Sequence, residues 1–144
     1  MLLIKKMFIT NEMRPSYKKL FDMIFSDMDI KDTEQNPSII YIAYDDNRII
    51  GFASGYLHNN IVFYIQYAGM IKECRGYKTL QAFREGLKKI NEEYPVITCM
   101  IQNINIPAIK LALNENFVIN GIRQDSRKKL YIEMIRGEKW EMRD

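Results

Sequence analysis

Residues 61–80, IVFYIQYAGMIKECRGYKTL, decide the fold of this chain. Residues 61–71 are apolar and rich in β-branched and aromatic side chains, the composition of a strand with a buried face. Cys74-Arg75-Gly76-Tyr77-Lys78 then interrupts the run with a glycine among basic residues. Over residues 79–93 the spacing becomes helical, with Leu80, Phe83, Leu87 and Ile90 on one face. A strand that enters a helix through a tight basic turn leaves the first N–H groups of the helix without intrahelical acceptors, and those groups suit an anion.

Working outward, residues 96–101 read as a short strand and residues 105–116 as a helix with Pro107 in its first turn, where a missing N–H costs little. Upstream, residues 2–9 read as an edge strand. Residues 12–27 read as an amphipathic helix marked by Tyr17, Leu20, Phe21, Ile24 and Phe25. The polar stretch 27–38 reads as a loop. Residues 39–44 and 48–57 read as strands joined by the turn Asp45-Asp46-Asn47, and His58-Asn59-Asn60 makes the next turn. Residues 117–122 and 130–135 close the chain as a hairpin. The order is β-α-β-β-β-α-β-α-β-β. It implies an α+β fold in which a mixed, mostly antiparallel central sheet is flanked by helices. No repeat or linker breaks the chain, so residues 1–144 are expected to form a single domain.

The composition narrows the function. Of 144 residues, 47% are hydrophobic, which excludes a disordered chain. Twenty-one Lys and Arg stand against 18 Asp and Glu, so the formal charge is only +3 and argues against nucleic acid as the partner. The basic residues that do cluster are Arg123, Arg127, Lys128 and Lys129, with Lys5-Lys6 elsewhere, and a solvated face is the ordinary reading of such runs. A nucleic-acid surface built from the first four and Arg136 ranks last among the functions considered. Cys74 and Cys99 do not form a disulfide framework, and with His58 as the one histidine no metal site is expected. No apolar run approaches the roughly 20 residues of a membrane span, so no membrane partner is expected. The first eight residues lack a small-residue cleavage site, so the cytoplasm is the expected compartment.

Two segments carry a resemblance to a known family. Arg75-Gly76-Tyr77-Lys78-Thr79 resembles the pyrophosphate turn of the GNAT acyltransferases, in which a basic residue precedes small residues at a helix start. Lys78 and Leu80 occupy the two positions where that turn has glycine or a small residue. Asn105, Ala108 and Asn116-Phe117 resemble the family's next segment, with Asn116 replacing a glycine because asparagine tolerates the left-handed conformation. The resemblance spans roughly residues 39–135. It implies that acetyl-CoA is the cosubstrate and that Met70, Ile71, Arg75, Gly76, Tyr77, Lys78, Thr79 and Asn105 bind it. The pantetheine arm would lie along the backbone near Gly69, and N–H groups near Met70 and Ile71 would polarise the thioester.

The same comparison shows what this chain lacks. Ala112 stands at the tyrosine that serves as the family's general acid, and residues 61–71 contain no Asp or Glu to act as base. Tyr64 and Tyr67 are the candidate catalytic residues on that strand. The expected function is an acyl-CoA-dependent N-acyltransferase acting on a small-molecule or protein amine. The alternative is a catalytically degenerate protein of the same fold that binds a protein partner or serves as a structural module. Small phage-encoded members depart from the family pattern in this way, and the Ile-, Lys-, Asn- and Met-rich composition is compatible with such an origin. Whether the chain is an enzyme, and in what oligomeric state, stays open at this level.

Overall fold

A computed structural model describes residues 1–26 and 37–137. The residues expected to form the loop after the first helix lie largely outside them. The elements are β1 (Leu2–Phe8), α1 (Arg14–Phe25), β2 (Ile39–Asp45), β3 (Arg48–Leu57), β4 (Val62–Met70), α2 (Tyr77–Asn91), β5 (Val96–Gln102), α3 (Ile106–Asn114), β6 (Val118–Gln124) and β7 (Leu130–Gly137). Short 3-10 turns precede α1 and α2. The element order is the one read from the sequence. The strands are hydrogen-bonded in the order β1-β2-β3-β4-β5-β7-β6, with β4 and β5 parallel and the pairs β1–β2, β2–β3, β5–β7 and β6–β7 antiparallel. The fold is α+β, a seven-stranded and mostly antiparallel sheet flanked by helices. No described helix is long and apolar enough to cross a membrane.

The chain packs as two compact units. The first comprises Met1–Tyr56 and Gln66–Lys89. Its core is built by α1, which buries Tyr17, Phe21, Ile24 and Phe25 at helical spacing. Phe21 lies 4.7 Å from Phe25 and 4.9 Å from Tyr67, ring centroid to ring centroid, the second pair edge to face. Phe52 of β3 meets Tyr17 and Phe25 edge to face. The Tyr17 hydroxyl shares a buried hydrogen bond of 2.9 Å with Ser54 Oγ. Asp46 and Asn47 both have positive φ, 49° and 70°, and so close the β2–β3 hairpin with a two-residue turn whose twist matches its strands. Gly51 is required by packing: a Cβ there would lie 2.5 Å from Met70 Sδ and 2.6 Å from the Gly69 carbonyl.

The second unit comprises Leu57–Ile65 and the residues from Ile90 onward. Val62–Ile65 pair with Val96–Cys99 in parallel register, and β5 pairs with β7 along its whole length. Phe63, Ile90, Ile97 and Met134 are fully buried, and Tyr94 stacks on Phe63 at 5.8 Å. Helix α3 ends as the sequence suggests. Asn116 takes φ 70°, the Phe117 N–H donates to the Ala112 carbonyl, and the Asn116 N–H donates to the Leu113 carbonyl. This pair of bonds is the Schellman arrangement, with asparagine in place of glycine.

Candidate functional site

In the first unit, β4 ends at Met70 and the chain passes through a 3-10 turn, Lys72–Cys74, before α2 starts. Gly76 occupies the cap position with φ 109°, a conformation that side-chain-bearing residues rarely adopt. Its carbonyl accepts from the N–H groups of Thr79 (3.0 Å) and Leu80 (3.4 Å), and its own N–H donates to Thr79 Oγ1 at 3.1 Å. Thr79 thus reaches back to the cap in the manner of a capping box. The N–H groups of Tyr77 and Lys78 are first-turn donors with no intrahelical acceptor. Nothing lies within 4 Å of where a Gly76 Cβ would be, so the turn is open on that side.

The two cations of the turn have protein partners. The half-buried Arg75 donates from Nε to the Met70 carbonyl (3.1 Å) and from Nη2 to the Ile24 carbonyl (3.0 Å), tying the end of β4 to the end of α1. Lys78 Nζ lies 2.5 Å from Asp45 Oδ2. Asp45 also accepts from the Met1 ammonium at 3.2 Å. These contacts, the Lys78 hydrogen bond first, hold the Asp45 carboxyl below its ordinary pKa, and the same bond raises that of Lys78. The sequence reading identified the turn but not these partners. Asp45 is distant in sequence, and its signal was only that of a hairpin turn.

The remaining site residues have distinct surroundings. Met70 and Ile71 are buried, and the Ile71 N–H donates to the Ile50 carbonyl at 2.8 Å. Tyr77 is exposed on the first turn of α2. Tyr67 packs its ring on Phe21 and Phe25. In the second unit, Tyr64 meets the His58 ring edge to face at 5.4 Å. Asn105 caps α3, its side-chain oxygen accepting from the Ala108 N–H at 3.3 Å. Ala112, at the expected tyrosine position, is buried. Both cysteines are buried, and burial pushes the Cys99 thiol up to about 12, far from a reactive thiolate at neutral pH. Among the described residues no group of three or more metal-ligating side chains occurs.

No protein-family model matches the sequence, and no curated protein sequence matches it significantly. Solved structures do match. A variant of the spermidine N-acetyltransferase SpeG from Vibrio cholerae superposes with a TM-score of 0.74 at 11% identity, covering 96% of this chain and 94% of that one. A Bacillus subtilis acetyltransferase in complex with CoA gives 0.71 at 15% identity, covering 95% and 99%. A GNAT family acetyltransferase from Elizabethkingia anophelis with acetyl-CoA bound gives 0.65 at 12% identity, covering 94% and 97%. Together with the order of elements and of strands, these likenesses show that the chain has the GNAT fold.

Proposed function

We propose that this chain is an acyl-CoA-dependent N-acyltransferase that uses acetyl-CoA as cosubstrate. The observation that carries the reading is the turn at Gly76. Its open left-handed cap leaves the Tyr77 and Lys78 N–H groups free of intrahelical acceptors, as a pyrophosphate site requires. Lys78, which stands where the family has glycine, directs its ammonium to Asp45. Solved proteins of the same fold hold CoA or acetyl-CoA, which supports the choice of ligand.

In this reading Arg75 positions the turn by bracing it against β4 and α1 and does not itself bind phosphate. The N–H groups of Tyr77 and Lys78 form the diphosphate cradle, which Gly76 and Thr79 shape through their reciprocal bonds. Asn105 offers its side-chain NH₂ to the pantetheine arm while its oxygen serves as the helix cap. With Ile71's N–H bonded to Ile50, Met70 supplies the N–H that polarises the thioester carbonyl. A neutral amine attacks the carbonyl carbon, the N–C bond forms, and the C–S bond breaks as CoA leaves as thiolate. The proton lost by nitrogen passes to solvent or to that thiolate. With no carboxylate on β4 and alanine at position 112, holding the reactants together supplies most of the rate. Tyr64 or Tyr67 borders the acceptor.

The missing acid and base favour one further reading, a non-catalytic module of the same fold that binds a protein partner. Calorimetric titration with acetyl-CoA separates the two. The enzyme reading expects micromolar binding, weakened about tenfold or more by Lys78→Glu, which sets two carboxylates beside the cradle. An amine screen then follows. Absence of binding at millimolar acetyl-CoA rejects the enzyme reading. Full turnover by the Tyr64→Phe, Tyr67→Phe double variant would remove both tyrosines from the chemistry.

A further inference from the structure

The hairpin between β6 and β7 concentrates the positive charge of the chain. Residues 123–129 carry Arg123, Arg127, Lys128 and Lys129 against the single carboxylate Asp125. That carboxylate is consumed by the turn. Asp125 Oδ1 accepts from the N–H groups of Arg127 and Lys129, each at 2.9 Å, and Oδ2 accepts from Arg127 Nη2 at 3.3 Å. Arg123 is bridged to Glu133 at 2.5 Å. Lys128 sits at φ 64° on the exposed tip, and among the described residues neither it nor Lys129 has an acidic partner.

Beside these cations lie exposed aliphatic side chains. Ile122 is 72% exposed and pairs across the hairpin with Ile132; Leu130, 40% exposed, lies two residues along the same face. Ile104 is 74% exposed and follows Asn103, whose N–H donates to the Leu130 carbonyl at 3.0 Å. Grouped exposed apolar residues rimmed by charge mark a surface that meets a partner.

The chemistry of the group selects the partner. A nucleic-acid surface places cations along the phosphates and aromatic or hydrogen-bonding groups against the bases. Here the exposed neighbours of the cations are isoleucine and leucine, and the one aromatic, Tyr131 opposite Arg123, turns its hydroxyl to Asp125 at 3.5 Å. Arg136, the fifth cation such a surface would use, turns inward to the Glu115 carbonyl at 2.8 Å and to the Asn91 side chain. Cations beside aliphatic side chains match the boundary between anionic headgroups and acyl chains.

We propose that the β6–β7 hairpin, with the loop at Ile104, is a peripheral docking surface for an anionic lipid bilayer. Lys128, Lys129 and Arg127 meet the headgroup phosphates, and Ile104, Ile122 and Leu130 enter the acyl boundary. The surface is independent of the CoA reading.

The test is co-sedimentation of the full chain with phosphatidylcholine vesicles, with and without about one third phosphatidylglycerol. Binding is expected only to the anionic vesicles. Lys128→Glu with Lys129→Glu should weaken it about tenfold or more, since each basic residue contributes roughly a factor of five near such a surface. Ile104→Ser with Ile122→Ser should weaken it severalfold, with circular dichroism and the thermal midpoint confirming that both variants are folded. Failure of the folded wild-type chain to bind anionic vesicles overturns the proposal. So do isoleucine variants that bind as wild type, and so does tighter binding to a single-stranded oligonucleotide than to the vesicles at equal salt.

Discussion

Lys78 Nζ lies 2.5 Å from Asp45 Oδ2, joining the first turn of α2 to the end of β2 across 33 residues of sequence. On the proposed function, this pairing accounts for a lysine at a position where a pyrophosphate turn ordinarily has glycine. The side chain is engaged by the hairpin, and the Tyr77 and Lys78 N–H groups have no intrahelical acceptor.

The pair sets a pH dependence. The Asp45 carboxyl is held below its ordinary value of 3.8, chiefly by the Lys78 hydrogen bond. Its stabilising contribution is therefore present above pH 3.8 and is lost as the pH falls through the lower folded-state value. Lys78 is raised above 10.5, so its contribution is present below that pH and is lost as the pH rises through the folded-state value. Thermal midpoints of wild type and Asp45→Asn should differ at pH 7. They should converge in strong acid and also in high salt, because the pair is partly exposed. Equal midpoints at pH 7 and low salt would show that the pair contributes nothing.

Arg75→Lys tests whether the guanidinium braces the turn. Its bonds to the Met70 and Ile24 carbonyls need a planar fork that an ammonium cannot reproduce. The substitution should lower unfolding free energy by about 1.5–3 kcal/mol, read from denaturant titration, although it keeps the charge. A variant as stable as wild type would return Arg75 to the list of phosphate ligands.

Two glycines should respond differently to alanine. At Gly51 a Cβ would meet the Gly69 carbonyl at 2.6 Å, and backbone cannot move aside cheaply, so Gly51→Ala should cost about 3 kcal/mol. At Gly76 the new Cβ meets nothing, and the cost is that of the left-handed conformation alone, about 1–2 kcal/mol. Denaturant unfolding ranks the two, and the reverse order would contradict this packing.

Asn105→Asp separates capping from cofactor binding. Aspartate keeps an oxygen for the Ala108 N–H and removes the NH₂ donor. Stability should hold while acetyl-CoA affinity falls roughly tenfold, the order expected for one lost hydrogen bond. Unchanged affinity would confine Asn105 to the cap.

Cys99 should be inert in the native state. Burial pushes its thiol from 9.0 up to about 12, so it stays protonated while the unfolded chain ionises. Folding stability should decline as the pH rises above 9.0 toward 12. A thiol reagent at pH 8 should label neither buried cysteine quickly and both after unfolding in guanidinium. Rapid native labelling of Cys99 would contradict its burial.

The order of elements, the glycine turn and the asparagine helix end are all legible in the amino-acid sequence. Each is written in short-range code. Apolar spacing separates strand from helix, and the conformational tolerance of Gly76 and Asn116 places the cap and the stop. The same sequence shows that β4 has no carboxylate and that position 112 is alanine, because absent chemistry is visible without a fold. Where the side chains of the turn go is set by tertiary packing. Lys78 and Arg75 look alike in sequence, two cations beside a glycine, yet one meets Asp45 and the other meets the carbonyls of Met70 and Ile24. Asp45 and Ile24 lie 33 and 51 residues away, beyond the reach of any local pattern. These contacts exist because the packing of α1, β2 and β4 brings a carboxylate and two carbonyls within reach of long, flexible side chains.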